Sequence, residues 1–175
     1  MFYLYASFFI SVMNVTSVKI LLPDIMHGLN VELNWLTWVV NAYTLPLAVF
    51  IPIAGKIGDL YGARRFFIYG LLGLAVGSLM CGAAFSLPWL IAGRIVQALG
   101  AALLAPNALS ILLTGVAESR RGRLLGIWGG VGSAGALFGP VISGLLVDSL
   151  TWRGSFLLIA GLTVTIYLAA RISLS

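Results

Sequence analysis

Charged residues are scarce in this chain. Asp, Glu, Lys and Arg make up only 9% of its 175 residues, whereas they form about a quarter of a soluble domain. Hydrophobic residues account for 61%, against about half in a soluble domain. This composition excludes a soluble globular protein and predicts that the lipid bilayer is the solvent of the chain.

Cysteine and histidine are nearly absent as well. The single Cys81 lies in an apolar run, which excludes a disulfide bond within the chain. His27 has no second His, Cys or acidic cluster at metal-ligand spacing. We therefore predict no metal site and no cofactor. The net charge of +5 is compatible with a nucleic-acid partner, but the cations lie in short segments between apolar runs, which argues against one.

Long apolar runs dominate what is present. A helix needs about 20 mostly apolar residues to cross a bilayer, and six stretches qualify. These runs do not alternate and are too long for barrel strands. The sequence predicts an all-α membrane protein in which residues 1–175 form a single six-helix bundle. The predicted spans are 2–23, 35–57, 66–85, 89–113, 124–147 and 155–172.

The cations indicate how the spans are oriented. They cluster between spans 2 and 3, between spans 4 and 5, and after span 6, and an even number of spans separates these places. All three places therefore lie on one side of the membrane, which is the cytoplasm by the positive-inside rule. Both termini are predicted to be cytoplasmic. The cations concerned are Lys56, Arg64, Arg65, Arg120, Arg121, Arg123 and Arg171.

Several polar residues lie inside the predicted spans. Arg94 is in span 4, with Gln97 one turn further on. Insertion of such a charge costs at least about 2.5 kcal/mol, so it faces the bundle interior or a cavity. It is either a substrate- or proton-linked cation or a structural arginine satisfied by helix carbonyls. Asn14 in span 1 lines a cavity or bonds a neighbouring helix, and Asn41 and Tyr43 in span 2 are further cavity candidates.

The segment between spans 2 and 3 combines charge with glycine. Gly55, Gly58 and Gly62 surround Asp59, and Arg64 follows. Glycines permit a tight reversal of the chain, and the carboxylate can pair with a cation across it. An ordinary positive-inside turn explains Arg64 but neither Asp59 nor the glycines. We predict a tight cytoplasmic turn here.

Glycine is also frequent in span 5. Small residues at positions i and i+4 let two helix backbones approach closely in lipid. Span 5 is therefore predicted to pack against other helices. Pro140 within it removes a backbone donor and is expected to bend the helix. The glycines concerned are Gly126, Gly135, Gly139 and Gly144.

Taken together, these segments resemble the N-terminal half of a major facilitator superfamily transporter. Residues 55–65 resemble its loop motif between spans 2 and 3, and this resemblance implies a cytoplasmic gating loop at Gly55, Gly58, Asp59, Gly62 and Arg64. Residues 94–102 resemble its span-4 motif, which the family links to proton coupling. The glycines of span 5, with Pro140, resemble its antiporter motif. The amino-acid sequence is most similar to those of the EmrB/QacA-type drug:proton antiporters.

The resemblance implies a half-bundle with a 3+3 inverted repeat. It also implies that a small molecule is moved by alternating access, as multidrug or metabolite efflux by proton antiport across a bacterial inner membrane. The implied partners are the bilayer, a small-molecule substrate, protons and a second half of six or more spans. That subgroup commonly has an aspartate where this chain has Asn14, so proton use would fall on other groups.

Two alternatives stay open from the sequence. The resemblance implies a second bundle, so we expect a fragment, a truncated product or a half that pairs with another chain. The rival function is a truncated, non-transporting membrane protein or scaffold.

An intramembrane serine protease would need a Gly-x-Ser-x-Gly motif and a histidine in a span. Val131 stands two residues before Ser133, and the only histidine lies in a loop. We predict that the chain is not an enzyme.

Overall fold

Every long apolar run forms a helix in the computed structural model, which describes residues 2–174 apart from the side chains of Leu33, Asp148, Ser149 and Leu174. The first four helices are α1 (Phe2–Leu29), α2 (Leu33–Tyr61), α3 (Ala63–Gly82) and α4 (Leu87–Leu113). A last helical segment, Glu118–Leu174, is broken at Thr151, whose φ of 59° and ψ of 173° are not helical. The break yields α5 (Glu118–Val147) and α6 (Leu150–Ser173).

All six helices are long and apolar enough to cross a membrane, and the described residues contain no strand. The predicted all-α membrane fold with six spans is confirmed. Helix ends differ from the predicted spans, because hydropathy does not detect polar end turns. The helix α1 continues past Pro23 to Leu29, and α3 begins at Ala63 and ends at Gly82, about three residues earlier than span 3 at both ends.

Close packing of α3 on α4 depends on glycines that face the neighbouring backbone. A Cβ at Gly70 would lie 2.7 Å from the backbone nitrogen of Leu104. A Cβ at Gly100 would collide with the backbone nitrogen of Leu74, and one at Gly77 with that of Gln97. These pairings run in opposite directions along the two helices, so α3 and α4 are antiparallel and separated by little more than backbone thickness.

The other helices are ordered around α1. Gly135 of α5 approaches the Phe9 carbonyl oxygen, and Gly139 approaches the Met13 carbonyl oxygen, so α1 and α5 run parallel. In α6, the ring of Trp152 lies against Gly28 near the end of α1. The helix α6 therefore runs back alongside α1 in the opposite direction.

Two apolar clusters fill the bundle, one towards each end. The first includes Leu4, Phe67 and Leu112 at the end where α1 begins, and the second includes Ile25, Leu90 and Trp152 at the other end. The midpoints of α1 and α4 lie between the two clusters. The buried polar residues described below occupy this middle layer.

Burial is distributed unevenly among the helices. In each of α1, α3 and α4, half of the residues in the most apolar 18-residue window are buried, compared with 22% in α2 and 17% in α5. The exposed faces of α2 and α5 carry large apolar side chains. We call these faces the open faces; they include Trp38, Leu45, Val49 and Phe50 on α2, and Leu137, Phe138, Val141 and Leu145 on α5.

Candidate functional site

Arg94 lies at the centre of a buried polar cluster, and only 1% of its surface is exposed. Its Nε donates a hydrogen bond of 3.2 Å to the Val39 carbonyl oxygen on α2. Its Nη1 donates to Oδ1 of Asn14 on α1 at 3.2 Å and to Oε1 of Gln97 at 2.8 Å. One guanidinium therefore links α4 to α1 and α2.

Gln97 extends the cluster to α3. Its Nε2 donates to the hydroxyl of Ser78 at 2.8 Å, and that hydroxyl donates to the Leu74 carbonyl oxygen at 2.7 Å. The thiol of Cys81 lies 3.6 Å from Oε1 of Gln97. We call Asn14, Tyr43, Ser78, Arg94 and Gln97 the Arg94 cluster. It joins four helices in the layer where an unsatisfied polar group costs most.

The charge of Arg94 has no acidic partner among the described residues. The ring of Tyr43 lies beside the guanidinium instead, with its centroid 4.3 Å from Cζ of Arg94, which is within cation–π distance. The ring of Phe156 lies further away, at 6.0 Å. A carbonyl, two side-chain amides and an aromatic face therefore take the place of a carboxylate.

Three buried polar atoms near this layer lack a hydrogen bond. Within the described residues they are Nδ2 of Asn14, the hydroxyl of Ser155 and, by strict hydrogen-bond geometry, the hydroxyl of Tyr43, which lies near Ser11 and Asn14. An unsatisfied buried donor or acceptor costs roughly 1–3 kcal/mol. The cluster thus holds a permanent charge and has spare donors, but Asn14 supplies no group that can exchange a proton.

Four of the five predicted cavity residues are brought together in the Arg94 cluster: Asn14, Tyr43, Arg94 and Gln97. All four are at most 1% exposed, so in this conformation they contact one another rather than line an open cavity. They gather because polar groups in an apolar bundle satisfy each other. Asn14 bonds a neighbouring helix, as one of its two predicted alternatives states. Asn41 lies outside the cluster and is half-buried.

The link between α2 and α3 is one residue long. Gly62 has a φ of 102°, a region that side chains with a Cβ rarely adopt. Its N–H donates to the Gly58 carbonyl oxygen at 2.9 Å, which closes the last turn of α2. The predicted tight reversal therefore depends on glycine at position 62.

Gly58, one turn before this link, packs against Asn107 of α4, a residue that the sequence analysis did not identify. A Cβ at Gly58 would collide with Oδ1 of Asn107 on α4. The Nδ2 of Asn107 donates to the Leu103 carbonyl oxygen at 2.7 Å and, across to α2, to the Ala54 carbonyl oxygen at 3.3 Å. Gly55 also meets α4, with Pro106 within ordinary contact distance. The sequence did contain a signal for Asn107, because it is an amide side chain inside the apolar span 4.

The charged groups of the predicted gating loop do not pair across the turn. Asp59 and Arg64 are both exposed, and neither side chain makes a hydrogen bond or ion pair with any other described residue. Asp59 precedes Gly62 and Arg64 follows it, and both side chains are exposed rather than in contact with each other. The carboxylate is therefore available to a group outside this chain.

Of the predicted packing glycines in α5, two contact another helix. A Cβ at Gly139 would collide with Oγ1 of Thr16, and one at Gly135 would lie 2.7 Å from the Phe9 carbonyl oxygen. Gly126 and Gly144 have no atom within 4 Å of an added Cβ among the described residues. Pro140 is half-buried, and the helix continues through it.

The profile of the Major Facilitator Superfamily matches residues 4–174. The chain belongs to this superfamily. The membership predicted from the loop, span-4 and span-5 motifs is thereby confirmed, and the chain is an integral membrane protein.

Bacterial resistance proteins are among its relatives. The methylenomycin A resistance protein of Bacillus subtilis is 35% identical over 152 residues, which cover 86% of this chain and 33% of that protein. The tetracenomycin C resistance and export protein of Streptomyces glaucescens is 38% identical over 141 residues, covering 81% of this chain and 26% of that protein. The chain therefore spans about a third or less of the length of these relatives.

Solved structures agree with the fold of this superfamily member. The peptide transporter POT in complex with alafosfalin superposes with a TM-score of 0.84 and 21% identity, covering 97% of this chain and 38% of that one. At this identity the likeness concerns the fold alone. The six helices therefore correspond to a part of a larger transporter structure.

Proposed function

We propose that this chain is the N-terminal half of a transporter that moves a small molecule by alternating access. The observation that carries the proposal is the Arg94 cluster, which lies between two apolar clusters and joins four helices around one buried charge. Such a charge in a span marks a substrate or ion pathway by default. Efflux of drugs or metabolites in exchange for protons is the proposed activity, rather than catalysis.

The names of relatives support efflux. The matched proteins include resistance proteins for methylenomycin A and tetracenomycin C and a multidrug resistance protein of Mycobacterium tuberculosis. All of these are bacterial. The proposed location is accordingly the bacterial inner membrane, with both termini in the cytoplasm because the basic segments share that side.

The second half is proposed to cover the open faces of α2 and α5. These helices bury only 22% and 17% of their most apolar windows, less than half the buried share of α1, α3 and α4. The relatives are about three to four times as long as the matched region, which leaves room for a further bundle of six or more spans.

Proton coupling is proposed to use a group other than residue 14. Asn14 bonds Arg94 through its amide oxygen and has no titratable proton. Among the described residues no carboxylate bonds Arg94. A proton-binding acid near Arg94 would then belong to the second half.

A chimaera tests the proposed transport. This chain would replace the matched region of the methylenomycin A resistance protein of Bacillus subtilis, in a methylenomycin-sensitive host. We expect the chimaera to confer resistance, and Arg94→Ala to abolish it. Arg94→Lys should retain only part of it, because an ammonium lacks the guanidinium fork that reaches Val39, Asn14 and Gln97 together.

Arg123→Gln is the matched control, because it removes an exposed charge far from the cluster. It should leave resistance intact. A chimaera that inserts into the membrane but confers no resistance argues against transport. Full resistance with unchanged pH dependence in Arg94→Ala would remove Arg94 from the proposed role.

A further inference from the structure

A second feature of the chain lies away from the Arg94 cluster. An open cleft of about 650 Å³ is formed at the end of the bundle where α1 and α3 begin. Five helices contribute to it through their ends. Tyr3, Tyr61, Arg64, Arg65 and Ile111 are among its lining residues. This volume lies within the range of small-molecule sites, about 300–1,000 Å³.

Both arginines of the cleft lack partners. Arg64 and Arg65 are exposed, and their side chains make no hydrogen bond or ion pair with the described residues. No acidic residue is among the described residues that line the cleft. Two guanidinium groups therefore face a concave surface with their charges uncompensated.

The chemistry of the lining favours one kind of ligand. Guanidinium forks bind phosphate oxygens through paired hydrogen bonds. The phenols of Tyr3 and Tyr61 add two hydroxyl donors, and Leu4 and Ile111 give the cleft an apolar wall. The positive-inside rule requires cations in this segment but neither adjacent arginines nor a cleft with hydroxyls. The arrangement is suited to a phosphate group next to hydrocarbon.

We propose that this cleft binds a phosphate group, carried by an anionic phospholipid of the adjacent leaflet or present as a free anion. The two arginines would hold the phosphate oxygens and the tyrosine hydroxyls would donate further hydrogen bonds. With a lipid, the acyl chains would continue along the apolar wall of the bundle. The site rests on insertion into a membrane and is independent of transport.

Lipid binding to the purified 175-residue chain tests the site. Native mass spectrometry would measure the affinities of phosphatidylglycerol and of monoglucosyl diacylglycerol, which lacks a phosphate. We expect phosphatidylglycerol to bind about tenfold more tightly, and R64Q/R65Q to lose about tenfold in its affinity, because charge-assisted contacts are removed.

The control is R120Q/R121Q, which removes the same charge from another exposed basic segment, where Arg120 lines a second open cleft and Arg121 donates to the Val116 carbonyl oxygen. It should change phosphatidylglycerol affinity by less than about twofold, because attraction at a distance is screened. Added inorganic phosphate distinguishes the sources. Displacement of the lipid by millimolar phosphate assigns the site to a free anion, and its absence assigns the site to the lipid.

Two results would overturn the proposal: equal binding of both lipids, or equal losses from the two arginine pairs. Circular dichroism would check that R64Q/R65Q is folded. If it is not, Thr114→Asp provides a second test, because Thr114 lines the cleft and the substitution adds a negative charge without removing an arginine. Thr114→Asp should also lower phosphatidylglycerol affinity about tenfold, and unchanged affinity would count against the site.

Discussion

At the scale of single residues, the unusual feature is a buried arginine without an acid. Arg94 makes three hydrogen bonds, to Val39, Asn14 and Gln97, and contacts the face of Tyr43. Removing one partner of a buried charge is strongly destabilising, whereas completing its partners is favourable. The residue at position 14 therefore sets how well this charge is satisfied.

Asn14→Asp should stabilise the chain. The carboxylate would accept from Arg94 in place of the amide oxygen and would eliminate the unpaired Nδ2 donor. We expect the free energy of unfolding to rise by roughly 1–3 kcal/mol. Tryptophan fluorescence during unfolding in detergent would measure it. Asn14→Leu serves as the opposite case and should lower stability, and an Asp variant less stable than the parent would contradict this account.

Gly58 and Asn107 should behave as a coupled pair. Gly58→Ala places a methyl group against Oδ1 of Asn107 and should destabilise the chain. Asn107→Ala breaks the bond to Ala54 but makes room for that methyl group. The double variant should be less damaged than the two single losses combined, with a coupling of roughly 0.5–3 kcal/mol in a double-mutant cycle. If the two losses in unfolding free energy simply add, Gly58 and Asn107 are not energetically coupled.

At the scale of helices, packing follows glycine positions that composition does not distinguish. The sequence drew attention to α5, where glycines are most frequent, yet a Cβ added at Gly126 or Gly144 would meet no atom of the described residues within 4 Å. The closest backbone approach is between α3 and α4, at Gly70, Gly77 and Gly100. Spacing alone does not reveal which face of a helix meets a neighbour, because that depends on the partner.

Gly100→Ala should separate α3 from α4. The added methyl group would collide with the backbone nitrogen of Leu74, and backbone cannot rotate away as a side chain can. A loss of roughly 1–3 kcal/mol in unfolding free energy is expected. Gly126→Ala is the control, since no atom lies within 4 Å of its added Cβ. It should be neutral or stabilising by up to about 1 kcal/mol, because alanine favours helix. Equal effects at both positions would exclude close packing as the cause.

At the scale of the whole molecule, the uneven burial of the helices predicts where another bundle sits. Val49 of α2 and Leu137 of α5 are 61% and 67% exposed, whereas the only cysteine, Cys81, is fully buried. Cysteines placed at 49 and 137 should react with a membrane-soluble thiol reagent in the chain alone. They should be protected when the second half of a relative is joined to it.

Val76→Cys on α3 provides the reference for this labelling. Val76 is half exposed, and it lies on a helix whose most apolar window is already half buried within the chain. It should be labelled equally in both contexts. Protection at position 76 without protection at positions 49 and 137 would place the second half on the wrong face for our proposal.

How much the sequence revealed depended on the kind of signal. Apolar length predicted six helices, and polar residues in apolar spans pointed to Asn14, Tyr43, Arg94 and Gln97. Ser78 was not predicted, because a serine can bond its own helix and is common in spans. The missing contact between Asp59 and Arg64 was also not foreseeable, since it depends on the backbone conformation at Gly62, whose φ is 102°. Residue types in the spans could be interpreted from the sequence, whereas the placement of the helices relative to one another could not.

The one-residue link at Gly62 has a consequence for synthesis of the chain. The helix α2 ends at Tyr61 and α3 begins at Ala63, so no slack separates them as they leave the ribosome. We therefore expect the two helices to enter the bilayer together as a hairpin, with the turn on the side where we propose the basic segments to lie. The break at Thr151 imposes the same requirement on α5 and α6, from the opposite side of the membrane. Lengthening either link by a few residues would let the first helix of the pair insert before its partner has been made.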